Sequence, residues 1–183
     1  MKIDSDLEKR CDEIIAQYPK KKSAAMMIMH AVQERLGHFD DDAIKFAAAK
    51  LGVEPIEVYG MLSFYPMYSF APRGRIHIKV CRTLSCAMLG SVKLGHEISK
   101  QINCPVGETR GMYTLEFVEC LGNCSKGPNV QVNDRLFDRV AAEDAEKFVK
   151  KLAELDAQGE LAPKSAFDKP AGGDDFNSPA YKG

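Results

Sequence analysis

Residues 76–86 read IHIKVCRTLSC, and residues 120–124 read CLGNC. In the first stretch Ile76, Ile78 and Val80 alternate with polar residues, the period of a β-strand with one buried face. That strand runs directly into Cys81, and Cys86 follows after four intervening residues. The second pair, Cys120 and Cys124, has three residues between its members and follows another strand-like run, MYTLEFVE at 112–119. Each pair is therefore expected on a loop at a strand's end, where backbone N–H groups are free to donate. Two close thiol pairs on separate loops permit disulfides, a zinc site or an iron–sulfur cluster.

The rest of the chain narrows the setting. It has 183 residues, 45% of them hydrophobic, and a formal net charge of −1. That suits one or two domains with a buried core. The charge balance does not favour nucleic acid or an anionic membrane surface as partner. No apolar run approaches the ~18 residues of a membrane span. The opening MKIDSDLEKRCDEII is neither a secretory signal nor an Arg-rich transit peptide. A cytosolic, reducing location is expected, where paired cysteines serve more often as metal ligands or redox groups than as structural disulfides.

Working outward from the first strand, residues 1–72 read as a bundle of four short helices. Leu7, Cys11, Ile14, Ile15 and Tyr18 recur at helical spacing, and Pro19 ends the run. Ser23 is the expected cap of a second helix reaching Leu36, with Gly37 beyond it. Asp40 to Asp42 open a third, and Glu54-Pro55 opens a fourth, IEVYGMLSFY. Residues 73–156 alternate strand and helix: the strand at 76, a helix over 87–101, the strand at 112–119, a hairpin turning at Asn133-Asp134 and a last helix over 141–155. From 157 to 183, Pro, Gly, Ser and Asp dominate, which predicts a flexible tail with Phe167, Phe176 and Tyr181 as candidate anchors on a partner. The fold class is α+β.

A metal cluster needs several soft thiolates from one small region, with donors nearby to stabilise negative sulfur. Arg82 and Lys126 flank the pairs as candidate cations, though each reads equally well as ordinary solvated charge. Gly122 and Gly127 suit a loop folded tightly around a cluster, or simple turn chemistry, and Pro128 stiffens the exit. Structural zinc accepts four cysteines, usually in pairs about two to four residues apart; the second pair fits and the first is a residue too wide. Spacing thus favours iron–sulfur, with zinc as the chemical rival. Neither pair is the C-x-x-C of thiol oxidoreductases. Cys11 and Cys104 fall outside the arrangement and read as core thiols.

With these residues in place, the chain resembles the 24-kDa-type [2Fe–2S] subunit of NADH:quinone oxidoreductase, respiratory complex I. That family extends to small subunits of NAD-linked hydrogenases and formate dehydrogenases. The resemblance covers roughly residues 8–155 and rests on YPKKKSAAMMIMHAVQERLGHF, LGVEPIEVYGMLSFYPMY, IHIKVCRTLSCAMLGS and VGETRGMYTLEFVECLGNCSKGPNVQVND in combination. It implies a helical N-terminal region followed by a thioredoxin-like ferredoxin domain, with Cys81, Cys86, Cys120 and Cys124 ligating one [2Fe–2S] cluster. It implies a partner subunit carrying FMN and oxidising NADH, packed on the N-terminal helices; the tail is a candidate second contact from its composition alone and reads equally well as an ordinary solvated tail. It places such a chain at the cytoplasmic side of the inner membrane, peripheral to it. Ser125 and Gly127 depart from the acidic residue and alanine usual in the family, and Gly111-Met112-Tyr113 departs from its usual Asp-Gly. These changes bear on the cluster's potential more than on its ligands, since all four sulfurs are kept.

No G-x-G-x-x-G follows a strand and no P-loop is present, so nothing in the sequence reads as a nicotinamide or flavin site. His30, His38, His77 and His96 are scattered and read as surface or core residues. The run MMIM at 26–29 reads as core packing or subunit interface. The stretch DDDAIKFAAAKLGVEPIEVYGML has the outline of a helix-turn-helix, which makes an iron–sulfur transcription regulator a remote alternative. Its would-be recognition helix carries Glu57 and no Lys or Arg, a surface that repels phosphate. Met61, Phe64, Tyr65 and Tyr68 read instead as subunit contacts or as the bundle's own core. The functional expectation is an electron carrier working beside the flavin subunit of complex I. The corresponding subunit of a hydrogenase or formate dehydrogenase is the alternative.

Overall fold

The computed structural model describes residues 3–162. The candidate anchors Phe167, Phe176 and Tyr181 lie outside the described residues. Helix α1 (Ser5–Ile15) starts where the Asp4 carboxylate accepts the N–H of Leu7 at 3.0 Å. Helix α2 (Ala25–Leu36) is entered through a 3-10 turn, Lys21–Ala24, and Ser23 lies inside that turn instead of capping the helix. The chain arrives already wound, with Ala24 in a helical conformation, so there is no extended cap position for a hydroxyl to occupy. Asp40 does cap α3 (Asp41–Leu51), accepting from Ala43 N at 2.8 Å. Pro55 opens α4 (Pro55–Phe64).

These helices share one core, with Cys11, Ile28, Met29, Val32, Phe39, Ala47 and Val58 buried together. Within the MMIM run Met29 is fully buried, and Met26 and Met27 pack against the same core. Tyr68 also belongs to it, its hydroxyl donating to Met26 O at 3.1 Å, so it is no surface contact. Phe64 is 77% exposed, whereas Met61 and Tyr65 are partly buried. The chain leaving α4 is tied down from both sides. Gln33 bonds Met67 O and Ser69 N at 2.8 and 2.7 Å, and the Arg73 guanidinium donates to Met67 O and Tyr68 O at 3.0 and 3.1 Å.

A second core belongs to a five-stranded sheet ordered β2-β3-β1-β4-β5. Strand β1 (Ile76–Cys81) lies at the centre, parallel to β3 (Tyr113–Val118) and antiparallel to β4 (Val130–Val132). Strands β2 (Glu108–Arg110) and β5 (Arg135–Phe137) pair antiparallel at the edges. Ile76, Ile78, Val80, Leu115, Val130 and Val132 face a layer of helix supplied by α6 (Ser91–Ile102) and α7 (Ala145–Ala157), whose Leu94, Ile98, Phe148 and Leu152 complete the core. The expected helix over 87–101 is two pieces, because Gly90 in a left-handed conformation separates α6 from the short α5 (Leu84–Met88). The hairpin turns at Asn133-Asp134, with Asn133 at φ +50°. Strand β2 has no counterpart among the sequence expectations: Glu108, Thr109 and Arg110 are all exposed, so no apolar alternation marks them.

The expected start of the tail at 157 is too early. Leu161 is buried in the sheet core, and its carbonyl accepts from Asn133 Nδ2 at 2.5 Å. A single leucine in QGELAP carries no periodicity by which the sequence could announce this packing.

On the sheet's other face His77 is buried and its Nε2 lies 2.6 Å from Glu116 Oε1. Burial lowers the His77 pKa below the ordinary 6.5, outweighing the pull of Glu116 towards the charged form. The folded state therefore binds this proton less readily than the unfolded chain. Its full stability holds above about pH 6.5 and falls as pH drops from there towards the lowered folded value. Thermal unfolding of the wild type and His77→Gln across about pH 7.5 to 5 should show a steeper decline for the wild type; parallel curves would contradict this.

Candidate metal centre

Strands β1 and β3 run parallel side by side in the register Cys81↔Val118. Their C-terminal ends therefore open on the same end of the sheet, where sites in such sheets gather. Cys81 ends β1, Cys86 sits in α5, Cys120 lies just beyond β3, and Cys124 begins a 3-10 turn, Cys124–Lys126. Cys86 is thus on a short helix where the sequence predicts a loop. Cys81 and Cys86 are 1% and 2% exposed; Cys120 and Cys124 are exposed.

The sulfurs are arranged as pairs. Cys120 Sγ and Cys124 Sγ are 3.3 Å apart, and Cys81 is hydrogen-bonded to Cys86. The two loops also touch each other, since the N–H of Leu121, from the second loop, donates to the Cys81 sulfur of the first. Burial opposes ionisation of Cys81, but the N–H groups of Thr83 and Leu121, with the neighbouring Cys86, outweigh it and hold its pKa below the ordinary thiol value. Burial pushes Cys86 up, against donation from the Asn129 backbone and side chain. Cys124 is pushed up by Cys120, its hydrogen-bonded neighbour.

Among the described residues, no group of three or more His, Cys, Asp or Glu side chains is disposed around a single metal ion. Two sulfur pairs on touching loops suit a centre of two metal atoms, which Cys81, Cys86, Cys120 and Cys124 would hold. The surrounding donors fit it as well. Gly122, at φ +80°, turns its N–H onto Cys120 Sγ at 3.3 Å. Gly127 lies against the other pair: a Cβ there would stand 3.3 Å from Cys86 Sγ and 3.0 Å from Leu89 Cδ1. The two candidate cations are already neutralised locally, Arg82 by Glu119 at 3.1 Å and Lys126 by Asp138 at 3.9 Å.

Asn129 has no signature in the sequence and joins both loops. It is 1% exposed, and its Nδ2 donates to Asn123 O at 2.7 Å and Cys86 Sγ at 3.5 Å. Its Oδ1 accepts from Asn123 Nδ2 at 3.1 Å, and its backbone carbonyl accepts from Cys81 N at 3.1 Å. An asparagine between Pro128 and Val130 offers no spacing pattern; only the fold shows what it bridges.

The other candidates lie elsewhere. Cys11 is in the helical core, where burial raises its pKa to about 11, and Cys104 Sγ lies 3.3 Å from Glu108 O. The His30 ring packs on Tyr68 and the His96 ring on Phe117.

Comparison with known proteins agrees with this geometry. Residues 11–153 match the thioredoxin-like [2Fe-2S] ferredoxin family, and the chain belongs to it. It is 36% identical to NADH-quinone oxidoreductase subunit 2 of Thermus thermophilus over 127 residues, covering 67% of this chain and 70% of that one. It is also 36% identical to the second E-type chain of the NADH-quinone oxidoreductase of Rhizobium meliloti over 121 residues, 65% of this chain and 72% of that one. Against the E-type chain of the Mycobacterium tuberculosis NADH-quinone oxidoreductase, identity is 32% over 148 residues, 80% of this chain but 59% of that one. A crystal structure of an NAD+-reducing [NiFe]-hydrogenase shares the fold with a TM-score of 0.60 at 17% identity. The match covers 74% of this chain and spans only 25% of the hydrogenase chain.

Removing the Asn129 side chain should strip the buried Cys86 of a donor and leave partly buried polar groups of Asn123 unmatched. For Asn129→Ala we expect a loss of about 1–3 kcal/mol in thermal or denaturant unfolding. A redox titration of the metal-loaded chain should show a more negative midpoint, since hydrogen bonds to sulfur favour the added electron. Unchanged stability and potential would contradict this role.

Proposed function

We propose that this ferredoxin-family chain is the electron-transfer subunit that carries one [2Fe–2S] cluster beside the FMN-bearing, NADH-oxidising subunit of an NADH:quinone oxidoreductase. The observation that carries the reading is the pair of touching cysteine loops, found in a chain whose relatives over two thirds of their length bear the oxidoreductase's name. When bound, the cluster supplies one-electron storage and release, which complements a flavin that receives hydride electrons two at a time. The chain's own residues do the rest. Cys81, Cys86, Cys120 and Cys124 would hold the metal; Thr83, Leu121, Gly122 and Asn129 donate to sulfur and would favour the reduced charge. Hydride chemistry belongs to the partner, and this chain is a non-autonomous part of the enzyme.

The N-terminal helices are the proposed dock. Apart from Glu57 and Ser63, helix α4 is made of apolar residues and glycine, yet it buries only Val58 and Leu62. A helix of that kind is normally covered on all sides. Ile56, Tyr59 and Phe64 are left exposed on it, with Met67 and Phe70 just beyond. Its Glu57 pairs with Lys22, and the helix offers no cation to a nucleic acid. No helix among the described residues is long and apolar enough to cross a membrane. We place the chain on the cytoplasmic side of the inner membrane, peripheral to it, with residues 1–72 as the helical unit and the tail as a second contact. The fold shared with the NAD+-reducing hydrogenase favours the corresponding diaphorase subunit as the second reading; the co-purifying subunits, membrane-embedded or hydrogenase, decide between them.

In the assembled complex, rapid-freeze EPR after mixing with NADH should show a reduced [2Fe–2S] signal within the turnover time. A cluster that stays oxidised throughout turnover would exclude the storage role.

A further inference from the structure

The two sulfur pairs differ in a way that electron transfer does not require. Cys81 and Cys86 are buried, and the Gly127 backbone lies over Cys86 closely enough that a Cβ there would stand 3.3 Å from its sulfur. Cys120 and Cys124 are exposed, on one short loop, with sulfurs 3.3 Å apart. An approach of roughly 1 Å brings that pair to disulfide bonding distance. The loop between them is Leu121-Gly122-Asn123, and the glycine leaves it free to make that adjustment.

We propose that the Cys120–Cys124 pair is an oxidative modification site: in the metal-free chain a peroxide closes it to an intraloop disulfide, while Cys81 and Cys86 stay reduced. Both S–H bonds and the peroxide O–O bond break, one S–S bond forms, and two waters leave with the thiol protons when the oxidant is hydrogen peroxide. Each sulfur gives up one electron and the peroxide takes both. The first sulfur to attack the peroxide oxygen releases water and becomes a sulfenic acid, and its neighbour then displaces a second water from it before further oxygen can add. A thiol reductant returns the electron pair and reopens the loop. The closed state thus guards the exposed ligands from irreversible oxidation until metal can be reloaded. The inference goes beyond the proposed function and depends only on the placing of these thiols.

The test uses the full chain, stripped of metal anaerobically and treated with a stoichiometric amount of hydrogen peroxide. It is then unfolded, alkylated and mapped by mass spectrometry. The peptide holding both Cys120 and Cys124 should be unlabelled and about 2 Da lighter, with Cys81 and Cys86 labelled. After reduction, Cys120 and Cys124 should take the label, and iron with sulfide should restore the visible absorption. A Cys81–Cys86 bond, a bond between the loops, or sulfinic and sulfonic acids at Cys120 and Cys124 in place of the disulfide would overturn the proposal. On the metal-loaded chain, where both sulfurs serve as ligands, the same peroxide treatment and mapping should label all four cysteines while the visible absorption persists; a Cys120–Cys124 bond formed with that absorption intact would overturn the proposal. Metal and sulfide content measured before stripping reads the functional assignment separately.

Discussion

Parallel pairing of β1 with β3 is the constraint on which the site depends. Antiparallel neighbours joined directly would send the chain out at opposite ends of the sheet. Here the segment between the strands, with α5, α6 and β2, brings the chain back in the same direction, so Cys81 and Cys120 leave the sheet together. The energy that holds this register is apolar burial on one face: Ile76, Ile78, Val80 and Leu115 against Leu94, Ile98 and Leu152. A one-residue slip would turn His77 and Lys79 into that core and carry the thiol of Cys81 away from its donors. Packing far from the four thiols thus sets the geometry around them.

The site built on that register is lopsided. Its inner half is dry and rich in donors, with Thr83, Leu121 and Asn129 all directed at Cys81 or Cys86. Its outer half is wet, with the Gly122 N–H donating to Cys120. Around the inner half, Leu84, Met88 and Leu89 stand exposed, Met88 by 79%, so an apolar rim surrounds the buried sulfurs. Asn129 couples the halves, because the same side chain that reaches Cys86 also fixes Asn123 of the second loop.

Much of this is legible in the residues. The alternation in IHIKV, the apolar spacing in α1, the acid caps of α3 and the Asn133-Asp134 turn all act locally, and each is read from neighbours within a few positions. The cysteine pairs stand out because thiols are few and their spacings short. What escapes acts at long range or without apolar contrast. The polar edge strand β2 exists only because β3 offers it partners. Leu161 is recruited to the core from beyond the last helix, and Asn129 acquires its role from loops brought together by the sheet. Ser23 does not cap α2 because the preceding turn is already helical.

Two thiol pairs, brought together by one strand pairing, are assigned to a single two-iron core. Elemental and acid-labile sulfide analysis of the anaerobically purified full chain tests that assignment most directly. About two irons and two sulfides per chain are expected, all lost together when any of the four cysteines is replaced by a non-ligating residue. Stoichiometric zinc with no inorganic sulfide would contradict it.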